Sequence, residues 1–155
     1  MKQIRLIGSR EFIERTKDAL KLLREKDFMS YKVVISNLGA IVENKIDIGF
    51  SYFDPMSDVP TAFMTTCACM YDLKWYAAVI VHEACHGKLY NDAVMDNKNS
   101  FEECTGYSAE MFCLTKQIEC LKKIEARHED ILYAIEHYDM NWWNTKEKKL
   151  EKTRK

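Results

Sequence analysis

Apolar positions near the start of the chain recur first at strand spacing and then at helical spacing. Ile4 and Leu6 predict a short strand, and Ser9 is placed to cap a helix that continues to about Lys26. Within that helix the apolar residues recur every three or four positions: Phe12, Ile13, Ala19, Leu20, Leu22 and Leu23. The pattern predicts an amphipathic helix whose apolar face packs on a core.

The period changes from Tyr31 onward, where β-branched and aromatic residues predominate. This stretch predicts two strands or a hairpin, supported by alternating apolar side chains at Ile46, Ile48, Phe50 and Tyr52. The pair Asp54-Pro55 ends the block. Residues 61–67 form a further candidate strand, which is short and polar enough to be an edge of a sheet.

From Tyr71 the pattern is helical over most of the remaining chain. The stretch from Asp72 to His86 is apolar nearly all round, which predicts a central helix, and Gly87 is placed as its C-terminal cap. An Asn- and Asp-rich connection at 91–100 separates it from later helices. The order of elements predicts an α+β domain with a small antiparallel or mixed sheet of three or four strands.

Length and charge limit the domain organisation and the partners. The 155 residues predict one domain, assigned to residues 1–144, followed by a basic, solvated tail at 145–155. The net charge of −1 gives no overall field that attracts nucleic acid or an anionic membrane. No leader-like segment and no apolar run of about 18 residues is present, so we expect a cytoplasmic protein with reduced cysteines.

The predicted central helix contains three polar residues in an otherwise apolar stretch: His82, Glu83 and His86. The two histidines are four positions apart, so they lie on one face and can bind one tetrahedral ion. Glu83 lies beside that pair and can act as general base toward water activated by zinc, as in the HExxH motif. The alternative is a pair of core histidines satisfied by hydrogen bonds, with Glu83 in a salt bridge.

A catalytic zinc site needs a third protein ligand. The next helix is predicted from about Asn99 to Ile124, and a rotation of about 100° per residue places Glu103 and Glu110 on the same side. Asn99 and Glu102 can form a capping box, which leaves Glu103 to face the metal. We expect Glu103 to be the ligand. The less preferred candidates are Glu110, Glu102, Asp92 and Asp96.

Two further residues on this helix have predicted roles. If Glu103 is a ligand, Glu110 is placed to hold a ligand imidazole by a hydrogen bond. Tyr107 lies between the two glutamates and can donate to a developing oxyanion, although packing in the core explains it equally well.

The segments VIVHEACHG (79–87) and EECTGYSAEMFCL (102–114) resemble the minigluzincins, which are small HExxH metallopeptidase-like domains. The resemblance implies a zincin-like fold with one Zn²⁺ bound by His82, His86 and Glu103, and with Glu83 as general base. It also implies that a peptide or protein substrate pairs with the edge strand, here residues 61–67. Some of these domains resemble catalytic cores blocked by their own C-terminal segment. The residues that can do this here are His137, Tyr138, Trp142 and Trp143.

The sequence therefore supports two classes of function. The first is a zinc-dependent metallopeptidase that hydrolyses a peptide or amide bond, with an activity that the C-terminal segment can keep latent. The second is a non-catalytic zincin-like scaffold that binds a protein partner. Glu83 favours the enzyme, because a scaffold that only binds zinc does not need it. A weaker third idea, nucleic-acid binding through the basic tail, disagrees with the near-neutral net charge.

Overall fold

The computed structural model describes residues 3–46 and 49–138. Within these ranges the chain forms four strands and seven helices, which confirms the predicted α+β class. In chain order they are β1 (Arg5–Ile7), α1 (Arg10–Lys26), α2 (Phe28–Asn37), β2 (Ala40–Asn44), β3 (Tyr52–Asp54), β4 (Thr61–Thr65), α3 (Thr66–Tyr71), α4 (Leu73–Met95), α5 (Ser100–Glu103), α6 (Gly106–Lys123) and α7 (His128–Tyr138).

The strands form one mixed sheet in the order β1-β2-β4-β3. β1, β2 and β4 are parallel, and β3 is antiparallel to β4. The prediction that residues 61–67 form a sheet edge is therefore wrong, because β4 pairs with β2 on one side and β3 on the other. Ala62 and Met64 within it are fully buried, as expected for an interior strand.

The N-terminal helix was predicted correctly, but the segment after it was not. α1 begins after Ser9, whose hydroxyl accepts a hydrogen bond from the Phe12 N–H at 3.2 Å. Residues 31–37, predicted as part of two strands or a hairpin, lie in α2, whereas the later part of that stretch does contain two strands, β2 and β3. Asp27 caps α2 by accepting from the Ser30 N–H at 3.2 Å, and Val34 is fully buried. Capping and packing against the core outweigh the β-branched composition here.

The predicted central helix is confirmed and is longer than expected. Asp72 caps α4 by accepting from the backbone N–H groups of Lys74 and Trp75, both at 3.0 Å. The prediction that Gly87 caps the C-terminus of this helix is wrong, because Gly87 lies inside α4. A Cβ atom at this position would lie 3.0 Å from the Asn37 carbonyl oxygen, so the glycine permits close contact with the end of α2.

α4 packs against α1, α2, α3 and α6, which places its middle in the protein interior. Its fully buried residues include Tyr76, whose hydroxyl lies 2.7 Å from the hydroxyl of Thr16. The side chains of His82, Glu83 and His86 belong to the same buried segment. The helix therefore carries three titratable groups into the core, where polar groups need partners.

All six cysteines are thiols, as expected. No helix in the described part of the chain is long and apolar enough to cross a membrane. The predicted strand residue Ile48, the domain boundary at residue 144 and the basic tail lie outside the described residues.

Candidate metal centre

The two histidines of α4 meet a carboxylate from α6. The Nε2 atoms of His82 and His86 lie 3.3 Å apart. Each nitrogen also contacts one oxygen of Glu110: His82 Nε2 is 3.2 Å from Oε2, and His86 Nε2 is 3.3 Å from Oε1. None of the three residues is more than 4% exposed. Three potential ligands thus converge in the protein interior.

The opposite nitrogen of each ring is held by an oxygen acceptor. His82 Nδ1 lies 2.9 Å from the Gln117 side-chain oxygen, and His86 Nδ1 lies 2.8 Å from the Cys104 carbonyl oxygen. Because these oxygens accept hydrogen bonds, both Nδ1 atoms carry a proton. A neutral imidazole has one N–H, so each Nε2 then presents a lone pair. The hydrogen bonds therefore fix both rings in the tautomer that binds a metal through Nε2.

Two lone pairs and a carboxylate within 3.3 Å of one another repel unless positive charge lies between them. Either the imidazoles take up extra protons and pair with Glu110, or a cation binds. In a tetrahedral zinc site with bonds of about 2.0–2.1 Å, neighbouring ligand atoms are about 3.3–3.4 Å apart. The observed separations of 3.2–3.3 Å match that spacing. Two imidazoles and a carboxylate also form a donor set that suits zinc.

Cys113 adds a fourth potential ligand that we had not predicted. It lies one turn after Glu110 on α6 and is fully buried. The ligating atoms of His82, His86 and Cys113 all lie within 4.8 Å of one another, a group that can hold a metal ion. The sequence signal for it was available, because a thiol three positions after an inward-facing glutamate lies on the same helical face.

The carboxylate that contacts the imidazoles is that of Glu110, whereas Glu103, the preferred third ligand, is exposed. The single helix predicted over 99–124 is broken into α5 and α6. The estimate of about 100° per residue, which placed Glu103 and Glu110 on one side, does not hold across this break. There Gly106 has a φ of +84°, in the left-handed region that favours glycine. Asn99 does accept from the Glu102 N–H at 3.3 Å, but it caps α5 alone. The contacts with both imidazoles favour Glu110 over Glu103, and metal binding by either glutamate stays a prediction.

The break has a second effect on the site. Cys104 is the C-terminal cap of α5, and its carbonyl oxygen accepts a hydrogen bond from His86 Nδ1 at 2.8 Å. The interruption between α5 and α6 thus provides one of the two groups that orient the imidazoles, and α6 then restarts in a position that brings Glu110 inward.

The remaining predicted site residues lie outside the cluster. Tyr107 is in the first turn of α6 and is 55% exposed, with no place in the buried group. The less preferred ligands Glu102, Asp92 and Asp96 are also exposed, and Asp92 pairs with Lys88 on the surface of α4. Of the residues predicted for the site, the structure brings together His82, His86 and Glu110.

A cavity of about 880 Å³ adjoins one side of the motif. His82 and Glu83 line it, and so does Gln117, the residue that holds His82. His86, Glu110 and Cys113 are not among the described residues that line this cavity, so His82 is the one potential metal ligand of the described group that borders it. Four further lining residues are aromatic: Phe50, Tyr71, Trp75 and Tyr133.

The C-terminal helix contributes to the same cavity. His137, one of the residues predicted to block the site, lines it from α7. Its Nδ1 lies 2.8 Å from the Tyr133 carbonyl oxygen, within the same helix. The side chain of Tyr138 and both Trp142 and Trp143 lie outside the described residues.

Comparison with known proteins gave no match. No protein-family model matches the chain, and searches of curated proteins and of solved structures found no significant similarity. The function therefore has to be argued from the geometry of the site.

The partner of His82 provides a test of the cluster as a metal site. Gln117→Met removes the acceptor of the Nδ1 proton and keeps a long side chain of similar size. We expect zinc affinity to fall about 10–100-fold, because the ring loses the contact that fixes its tautomer. Competition against a chelating dye measures this. Lys116→Met, on the exposed side of α6, is the matched control. An unchanged affinity in folded Gln117→Met would count against the site.

Proposed function

We propose that this chain is a zinc-dependent peptidase or amidase with a zincin-like fold. The observation that carries the proposal is the convergence of two imidazole lone pairs and the Glu110 carboxylate at the spacing of tetrahedral zinc ligands. Glu83, next in sequence to His82, lines the same cavity as His82. The order of strands, HExxH helix and glutamate-bearing helix is also the order that the minigluzincin resemblance implies.

His82, His86 and Glu110 would hold one zinc ion. Two neutral imidazoles and one carboxylate leave the ion with a net positive charge and so preserve its Lewis acidity. When bound, zinc polarises a carbonyl group and makes water acidic enough to lose a proton near neutral pH. Gln117 and the Cys104 carbonyl keep both rings oriented for this task.

Glu83 is the general base of the proposed reaction. It is 2% exposed, yet it lines the cavity next to His82. Its carboxylate would accept a proton from the attacking water and deliver it to the departing amine, which a neutral side chain cannot do. The aromatic walls would limit access of bulk water to the reacting groups.

The proposed substrate is a peptide or protein segment bound in the cavity. Binding along β4, as expected from sequence, is excluded because both edges of that strand are occupied. The cavity instead lies beside the start of β3 and the end of β4, where Phe50, Ser51 and Thr65 contribute to its lining. Apolar walls suit a substrate with bulky apolar side chains.

A second candidate is a metal-stabilised scaffold that binds a protein partner. It is favoured by the burial of the whole cluster and by the closeness of Cys113, because structural zinc sites have four protein ligands and no open position. The two candidates differ in one measurable property, because only the first predicts that the protein hydrolyses peptides.

The test is peptide hydrolysis by the full chain loaded with zinc, using a mixture of peptides of varied sequence and mass spectrometry of the products. The assay includes Cys113→Ala, which lacks the additional ligating side chain near the imidazoles. We expect cleavage that stops when a chelator removes the metal and returns when zinc is added. If neither form cleaves any peptide while each holds one zinc, the scaffold replaces the enzyme as the better explanation.

A further inference from the structure

We infer that Cys113 binds the metal as a fourth ligand, so that the resting site is closed. The inference rests on the proposed metal site at His82, His86 and Glu110 and adds a means of regulation to it. In this state the ion has four protein ligands and no position for water, which makes the resting protein latent.

The geometry of α6 places Cys113 where a fourth ligand is needed. Glu110 and Cys113 are three positions apart on one helical face, and both side chains are buried. The Cys113 sulfur lies within 4.8 Å of the ligating nitrogens of His82 and His86. In a tetrahedral zinc site the separation of sulfur and nitrogen ligands is about 3.5 Å. A shift of roughly 1 Å, available from side-chain rotation, closes that gap.

Cys113 is the one cysteine of the described residues whose sulfur belongs to a group that can hold a metal ion. Cys120 lies two turns further along α6 and is as fully buried as Cys113, but it is not part of any metal-binding group within the described ranges. Burial raises the pKa of the Cys120 thiol to about 12, so it stays protonated at neutral pH. Burial alone therefore does not explain why Cys113 lies beside two imidazoles.

The binding step balances without any redox partner. The S–H bond of Cys113 breaks, a bond between sulfur and metal forms, and one proton leaves to bulk water for each ion bound. Thiolate is a preferred zinc ligand, so it competes well with water for the fourth position. Opening the site requires the reverse exchange, in which the sulfur leaves the metal and regains a proton.

The position of the cavity agrees with a closed resting state. His82 and Glu83 line it, while His86, Glu110 and Cys113 are not among its described lining residues. Three of the four proposed ligands therefore do not border the space in which a substrate would lie, and His82 is the one that does. This latency is distinct from blockage by the C-terminal segment, because it uses a residue on the same helix as a metal ligand.

The test is the absorption spectrum of the full chain after zinc is replaced by Co²⁺. A cobalt–thiolate bond gives an intense charge-transfer band in the near ultraviolet, which imidazole and carboxylate ligands do not give. We expect this band in the wild type and in Cys120→Ala, the control with equal burial on the same helix. Cys113→Ala should still bind one Co²⁺ but lose the band. Cys113→Ser, which keeps the side-chain volume, gives the same readout if the alanine variant does not fold.

Each remaining outcome contradicts a specific step. One Co²⁺ bound by the wild type without the band, or a band that persists in folded Cys113→Ala and Cys113→Ser, overturns the role of Cys113 and leaves the proposed three-ligand site intact. Failure of the folded wild type to bind Co²⁺ or Zn²⁺ at all overturns both proposals.

Discussion

Replacing Glu110 with alanine should weaken metal binding strongly, whereas the same change at Glu103 should leave it intact. Glu110 is the carboxylate in contact with both imidazoles, at 3.2 and 3.3 Å, while Glu103 is exposed. Loss of a ligand removes both a bond and the negative charge that offsets the ion. Changing a residue that only hydrogen-bonds to a metal ligand lowers affinity by up to about 100-fold. Because Glu110 would be a ligand itself, we expect zinc affinity to fall by more than that.

The measurement is metal content of purified protein by elemental mass spectrometry, after equilibration with zinc and removal of unbound ion. The wild type should carry one zinc per chain, and His86→Ala should carry none. Glu103→Ala is a matched control, because it makes the same change seven residues away on an exposed side chain. Zinc lost in Glu103→Ala but kept in Glu110→Ala would restore the order of ligands expected from sequence.

Wild-type protein that contains no metal would instead indicate that the buried cluster is not a metal site. The cluster can also be held by protons, with charged imidazoles paired to Glu110 in the core. A folded wild type that binds no zinc even when zinc is added would support this arrangement. The histidines would then be structural residues, and the peptidase proposal would fall with the metal site.

The part of the site that could be predicted from sequence was the part set by local spacing. His82 and His86 share a face because they are four residues apart on one uninterrupted helix. The central position of that helix followed from its apolar composition on all sides. Both features depend only on the helical period and on burial, so the structure of the rest of the chain does not alter them.

The third ligand could not be predicted in the same way, because it depends on where a helix is interrupted. Glu103 and Glu110 belong to one helical face only if residues 99–124 form one helix, and the break before Gly106 changes the relation between them. The glycine was visible in the sequence, but isolated glycines occur within helices as well as at their ends. The contact between the Cys104 carbonyl and His86 uses a backbone group, which the residue types do not reveal.

The sheet shows a related limit. The length and composition of residues 61–67 suggested an edge strand, but strand order is decided by long-range pairing. Parallel pairing with β2 and antiparallel pairing with β3 place β4 inside the sheet. Likewise, the β-branched residues of α2 favour a strand until the cap at Asp27 and the burial of Val34 are considered. In both cases tertiary packing overrides local preference.

Glu83→Gln should retain zinc and lose hydrolysis. Glutamine has nearly the same size and stays polar, so a side chain that is 2% exposed can be replaced without a cavity or a new buried charge. It cannot accept a proton, however, and general-base catalysis contributes about 10²–10⁴-fold to rate. We expect the rate to fall by a factor in that range with one zinc still bound.

The rate is measured on a peptide that the zinc-loaded protein cleaves, both in the wild type and in Cys113→Ala, and zinc content is measured on the same samples. Glu136→Gln, an exposed residue of α7 outside the cavity lining, is the control for loss of one carboxylate. If Glu83→Gln loses zinc together with activity, Glu83 supports the site rather than acting as base. If it keeps both, another group accepts the proton, and the reason for a glutamate beside His82 must be structural.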